Sequence, residues 1–231
     1  MLKVTHLEVD GWRAAIRGMR NPMNSWDKSD SGYFPVQTPP CNDISIEWVV
    51  GKNDLDLMQR LAKAGTDHSK YLRMITVTMD IDAPLYWWKE YDTYKVGTVA
   101  NSCSTMHKIH AKEFTLDDFS CEHLFDRYGD PSMNLNYGDK YPKAVLQDLI
   151  TVLNHFRTWF IQTKDKRYWW QMIQLLPTSY NQKRTVLVNY AVLQKMYHAR
   201  KNHKLDEWRE FCRIIEVMPF AKELIIGKEE I

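Results

Sequence analysis

An α+β fold is predicted by three observations. The first half of the chain mixes one strongly alternating β-branched run with short helical and polar stretches. The second half reads as long amphipathic helices, and no βαβ alternation or internal repeat of the kind that builds a parallel sheet is present. The expectation is a small central sheet flanked by helices, with a helical C-terminal half, all within one domain spanning residues 1–231.

The elements follow in order. Residues 2–9 alternate as a strand. Gly11 to Met19 suits a short helix with Trp12, Ile16 and Met19 on one side. Residues 20–45, rich in Asn, Ser, Asp, Gly and Pro, read as a long loop. Asn53 and Asp54 stand as caps before a helix over Leu55 to Ala64, which Gly65 stops. A Thr66–Ser69 turn leads to the strongest strand, RMITVTMDI over Arg73 to Ile81, ended by Asp82-Ala83-Pro84. Leu85 to Tyr91 is a short aromatic helix.

Residues 97–107 carry small polar side chains without a period and suit a ligand loop. Thr115 to Asp118 is a capping sequence for a helix, and residues 126–140 are a second polar loop. Pro142 opens a helix over Lys143 to Gln162 with Val145, Leu149, Val152, Leu153 and Phe156 as its buried stripe. Arg167 to Leu176 is a further helix. Residues 186–201 and 205–217 form a helical hairpin, in which Asn189 and Arg200, eleven residues or about three turns apart, project from one face with Leu193 and Tyr197.

Composition excludes several classes. With 44% hydrophobic and 26% charged residues the chain is an ordinary globular protein, and a formal net charge of +2 provides no electrostatic case for nucleic acid or a membrane surface. No apolar run is long enough to span a bilayer. Cys41, Cys103, Cys121 and Cys212 are widely spread without a Cys-x-x-Cys pair, and the polar start MLKVTHLEVD is no signal peptide; reduced thiols in a cytoplasm are expected.

Each candidate group has a plainer reading beside it. Cys103, His107 and His110, with Cys121 and His123 nearby, are ligand types for zinc, but Cys-x3-His-x2-His is not a knuckle spacing, and no metal site is assigned. Cys103 with His107 or His68 has the composition of a thiolate–imidazolium pair, although nothing in the sequence lowers the thiol pKa; a buried small thiol is the expectation. Asn101 to Thr105 offers hydroxyls and amides for a phosphate or a pyrimidine carbonyl, or is a solvated turn. His68-Ser69 after a helix end is a dipole partner or a site residue. Asn189 and Arg200 hold an anion or a structural ion pair, for instance with Glu207.

Taken in order, five landmarks resemble the flavin-dependent thymidylate synthases: Gly65-x-x-His68-Ser69, the strand RMITVTMDIDAP, the small-residue loop with Asn101 and Ser104, Leu176-Pro177, and Asn189 with Arg200 followed by the Glu207–Val217 helix and Pro219. The resemblance covers the chain from about Gly65 to Pro219. It implies a homotetramer with FAD between subunits, and reductive methylation of dUMP to dTMP with methylenetetrahydrofolate as carbon donor and NADPH as reductant. It implies His68, Ser69, Asn101 and Asn189 near the flavin, with Ser104 and Arg200 facing the pyrimidine nucleotide. The family signature Arg-His-Arg-x-x-Ser-x-Asn-Glu-x-Ser-x-Arg-Tyr is altered. Anchored on Asn101 and Ser104, its Arg-His-Arg falls on Tyr94, Lys95 and Val96, its Glu on Ser102, and its Arg-Tyr on Met106 and His107. A relative that binds nucleotide or a partner without the chemistry is therefore the alternative.

Overall fold

The computed structural model describes residues 2–38, 43–126 and 140–227. The elements are β1 (Lys3–Asp10), α1 (Trp12–Arg20), β2 (Gly32–Thr38), β3 (Asp43–Val49), α2 (Lys52–Lys63), β4 (Thr76–Pro84), α3 (Leu85–Tyr91), β5 (Thr98–Ser102), α4 (Pro142–Thr163), α5 (Lys166–Leu175), β6 (Asn181–Asn189), α6 (Tyr190–Arg200) and α7 (Asp206–Glu216). Four strands form one sheet in the order β1-β4-β6-β5, and β2 pairs with β3 as an antiparallel ribbon. The architecture is α+β, as the sequence predicts.

The chain divides into two compact units. One comprises residues 1–5, 80–93 and 100–185; the other comprises residues 6–79, 94–99 and 186–231. Each of the four sheet strands contributes a part to both.

In the first unit, Ile109, Phe114, Phe119, Leu146, Leu153 and Met172 form a core against which Leu149, Phe156, Phe160 and Trp169 pack. The expected stripe of α4 holds at Leu149, Leu153 and Phe156, but Leu146 takes the place of Val145, and Val145 and Val152 are 52% and 40% exposed. Positions 145 and 152 lie about 100° around the helix from 146 and 153, and leucine fills the space between α4 and α5 better than the shorter valine. The Thr115–Asp118 capping box is present, but it closes a single 3-10 turn over Leu116–Asp118 rather than a helix. In α3, Trp87, Trp88 and Tyr91 are buried, and Trp88 Nε1 donates to the Gln182 carbonyl at 2.9 Å.

In the second unit, the alternation of β4 places Val77 and Met79 in the core and Thr76 and Thr78 at intermediate depth. Also buried in this unit are Ile16 and Met19 of α1, Met58 of α2, Leu193 and Met196 of α6, and Trp208, Phe211 and Ile215 of α7. Tyr71 is buried, its hydroxyl donating to the Met58 carbonyl at 2.6 Å; burial raises its pKa.

Three expectations are corrected here. Residues 20–45 are not one loop: two 3-10 turns (Asn21–Met23 and Trp26–Lys28) precede the β2–β3 ribbon. The Asn, Ser, Asp, Gly and Pro content of residues 20–45 suggests a loop, but in a two-stranded ribbon each strand has an unpaired edge where a missing N–H costs nothing. The cap of α2 is not Asn53 or Asp54. The helix N-cap is Gly51, and the Asp30 carboxylate accepts from the Asn53 and Asp54 N–H groups at 2.9 and 3.1 Å.

Asp54 instead lies fully buried and serves as a hub. Arg20 Nε donates to its Oδ1 at 2.6 Å, while Ser29 Oγ, Ser31 Oγ and Ser31 N donate to Oδ2 at 2.7, 2.6 and 3.1 Å. Arg20 completes its fork on the Ser25 and Lys28 carbonyls. Burial alone would raise the Asp54 pKa; the Ser29 and Ser31 hydrogen bonds and then Arg20 outweigh it and leave the carboxyl below its ordinary value.

Lastly, residues 181–189 are strand β6, which feeds α6 directly. Cys41 and nearly all of the loop expected over 126–140 lie outside the described residues.

Candidate functional site

Helix α6 and the turn Tyr94–Thr98 hold each other. Strand β6 ends at Asn189, whose extended backbone (φ −113°, ψ 163°) makes it the N-cap of α6 rather than a residue of its face. Its Oδ1 accepts from the Val192 N–H at 3.1 Å, and its Nδ2 reaches the Gly97 carbonyl at 3.4 Å. The expectation that Asn189 and Arg200 share a helical face is thus corrected: a side chain that accepts from its own first turn points along the axis, not outward.

Gly97 has φ +85°, and a Cβ there would stand 2.7 Å from Asn189 Nδ2, so the turn passes this close to the cap only because position 97 lacks a side chain. Replacing Asn189 with Ala should cost about 1 kcal/mol through the lost cap, read as a lower urea midpoint with unchanged slope.

At the other end of α6, Arg200 Nε donates to Tyr94 Oη at 3.1 Å. The guanidinium carbon lies 4.9 Å from the Trp208 ring centroid and 5.7 Å from that of Tyr94. Thr98 Oγ1 closes the turn by donating to the Tyr94 carbonyl at 2.6 Å. On either side of Gly97, Val96 and Val99 are 90% and 65% exposed. The turn therefore presents apolar surface beside an amide, and a guanidinium fixed in orientation by two aromatic rings. Such a fixed fork suits a phosphate, and the apolar surface suits a flat ring.

The remaining sequence candidates are placed as follows. His68 is exposed at the start of the 3-10 turn Ser69–Arg73; Ser69 is buried, its N–H donating to the Gly65 carbonyl at 3.1 Å and its hydroxyl facing the Thr66 carbonyl at 3.5 Å. Asn101 is exposed on β5, which makes part of the expected loop at 97–107 a sheet strand. Ser104 is also exposed, and its Oγ accepts from the His107 and Met106 N–H groups at 2.8 and 3.3 Å, the mark of a Ser-nucleated turn.

Cys103 is exposed, not the buried thiol expected; the buried one is Cys212, pushed up to about 11 by burial and then by Glu216. Among the described residues no three His, Cys, Asp or Glu side chains are grouped to hold a metal ion. No described helix is long and apolar enough to cross a membrane.

Lys183 and Arg184 escape the sequence reading because a helix is expected from residue 186; the run TVLVN at 185–189 is the strand signal. Arg184 donates to Asp92 at 2.7 Å and to Gln182 Oε1 at 3.0 Å, and its guanidinium lies 4.2 Å from the Trp88 ring centroid. Lys183 pairs with Asp80 at 2.9 Å.

No protein-family model matches the sequence, and no curated protein matches it. Solved structures do. Thymidylate synthase X from Helicobacter pylori, crystallised with FAD and dUMP, superposes with a TM-score of 0.64 at 15% identity, covering 97% of each chain. The UMP/dUMP methylase PolB from Streptomyces cacaoi, bound with 5-Br UMP, superposes with a TM-score of 0.56 at 12% identity, covering 94% of this chain and 88% of that one. At such identities the correspondence establishes the fold, which is that of the flavin-dependent thymidylate synthases.

Proposed function

We propose that this chain is a flavin-dependent enzyme that modifies a pyrimidine nucleotide, in the manner of the reductive methylation of dUMP. The observation that carries this reading is the end-to-end match, over 97% of both chains, with a structure that holds FAD and dUMP.

The residues on the Tyr94–Thr98 turn fit a flavin. Val96 and Val99 offer exposed apolar surface to a flat ring, beside the Asn189 amide that caps α6. FAD, when bound, would supply the hydride chemistry. His68, Ser69, Asn101 and Asn189 would face the flavin, and Ser104 and Arg200 the nucleotide, contributed by different subunits of a homotetramer. Methylenetetrahydrofolate and NADPH are the proposed carbon donor and reductant, and the cytoplasm the proposed compartment.

Arg200 is the phosphate anchor. A monophosphate carries nearly two negative charges, and Trp208 and Tyr94 hold the guanidinium so that little rotamer freedom is lost on binding.

A second reading, a nucleotide-binding relative without the chemistry, is favoured by one observation. The positions of the Arg-His-Arg signature carry Tyr94, Lys95 and Val96, and Tyr94 spends its hydroxyl on Arg200. Absorbance of the purified chain after incubation with FAD separates the two. Flavin bands that stay with the protein through gel filtration support the enzyme; a colourless protein overturns it. Calorimetry with dUMP then tests the anchor: Arg200→Ala should weaken binding about tenfold or more, and unchanged affinity removes Arg200 from the site. Rescue of a thymidine-requiring strain tests dUMP methylation itself.

A further inference from the structure

Helix α1 carries Arg13, Arg17 and Arg20 at i, i+4 and i+7, one face of a helix with no acid in its first turn. Their fates differ. Arg20 is buried and neutralised by Asp54. Among the described residues, Arg13 donates to the neutral hydroxyl of Tyr33, at 3.1 Å, and lies over that ring at 5.5 Å. Arg17 makes no hydrogen bond or ion pair among the described residues, and both Arg13 and Arg17 are exposed.

These two guanidiniums line a groove with Trp26 and Trp48. Its inner part, floored by Arg20, has a volume of about 260 Å³, and its outer part about 560 Å³, the latter within the roughly 300–1,000 Å³ of small-molecule sites. Trp26 is 50% exposed yet fixed, since its Nε1 donates to Asn21 Oδ1 at 2.9 Å. Trp48 is half-buried and pairs in register with Tyr33 on the ribbon. Ser29 and Ser31, also on the wall, are committed to Asp54. Asp10, at the outer end, is the acid among the lining residues.

We propose that this groove binds a phosphate ester of a planar aromatic group, of the mononucleotide class. Two uncompensated guanidiniums one helical turn apart repel each other unless an anion lies between them, and their combined charge matches a phosphomonoester better than a single carboxylate. Trp48, which lines both parts, and Trp26, which lines the inner one, offer indole faces for stacking, and the neutral Arg20–Asp54 pair keeps the floor rigid without competing for the anion. None of these residues belongs to the α6 site, so the groove stands or falls apart from the function proposed above.

The test titrates the full chain with AMP, adenosine and inorganic pyrophosphate, followed by tryptophan fluorescence and calorimetry. AMP should bind at least about tenfold more tightly than adenosine. Arg13→Gln/Arg17→Gln, both exposed positions, should lose about tenfold or more for AMP and for pyrophosphate. Trp26→Leu should weaken AMP while sparing pyrophosphate, and Arg200→Ala should leave AMP binding unchanged. The proposal is overturned if AMP does not bind, if the double arginine variant binds it like the unaltered chain, or if Arg200→Ala abolishes the binding, which would place AMP at α6.

Discussion

Replacing Asp54 with Ala should lower the stability of the protein by about 3–5 kcal/mol, a fall in Tm on the order of 10 °C. The carboxylate is fully buried, and its loss strands the Arg20 guanidinium, itself 4% exposed, and removes the acceptor of the Ser29 and Ser31 hydroxyls. An uncompensated buried charge costs far more than the pair contributes, so Arg20→Met/Asp54→Leu should recover part of the loss. Recovery stays incomplete because the Ser25 and Lys28 carbonyls also lose their donors.

The same hub sets a pH dependence with a definite sign. A carboxyl whose folded pKa lies below its ordinary 3.8 binds fewer protons in the folded state than in the unfolded state. Its contribution is complete above pH 3.8 and is lost as pH falls toward and through the lower folded value. Denaturant midpoints measured from pH 6 down to pH 2.5 should therefore show a steeper acid decline for the unaltered protein than for Asp54→Asn, and parallel curves would refute the role of Asp54.

Gly11→Ala should be nearly as severe, at about 3 kcal/mol or more. Gly11 is the N-cap of α1 with φ +91°, and an added Cβ would stand 1.9 Å from the Met74 carbonyl oxygen. The obstacle is backbone, so no rotamer relieves it. Displacing Met74 also moves Ile75, whose carbonyl receives the Tyr190 N–H at 3.0 Å at the first turn of α6. The variant should lose stability in urea unfolding. Gly65→Ala makes a useful contrast: it shares a positive φ of 100°, but no atom lies within 4 Å of the added Cβ, so only the backbone strain of about 1 kcal/mol is expected.

Much of the fold was legible because its signals are local. The alternation of RMITVTMDIDAP marks β4, although the strand starts at Thr76 and runs on to Pro84. Pro142 at the first turn marks the start of α4, and the aromatic run LYWWKEY marks α3. The ribbon at 32–49 was hidden because the Asn, Ser, Asp, Gly and Pro content of residues 20–45 imitates a loop, and β6 was hidden because TVLVN runs without a break into the apolar residues of α6. Of the candidate site residues, Asn189 and Arg200 were identifiable as polar groups within one apolar helical segment, but their expected common face was not borne out, because Asn189 caps the helix. That the Tyr94–Thr98 turn occupies both of them was not legible, since 92 and 106 positions separate the partners.

The sequence by itself determined which segments are helix or strand wherever one period dominates, because burial of one face of an element depends on residues two, three or four apart. Tertiary structure decided which charges face each other. Arg20 and Arg17 are alike as neighbours on α1, yet the first meets Asp54 from a helix 34 positions away and disappears into the core, while the second is left facing an open groove. Charge pairing acts through space over a few ångströms, and only the folded chain brings such groups within that range.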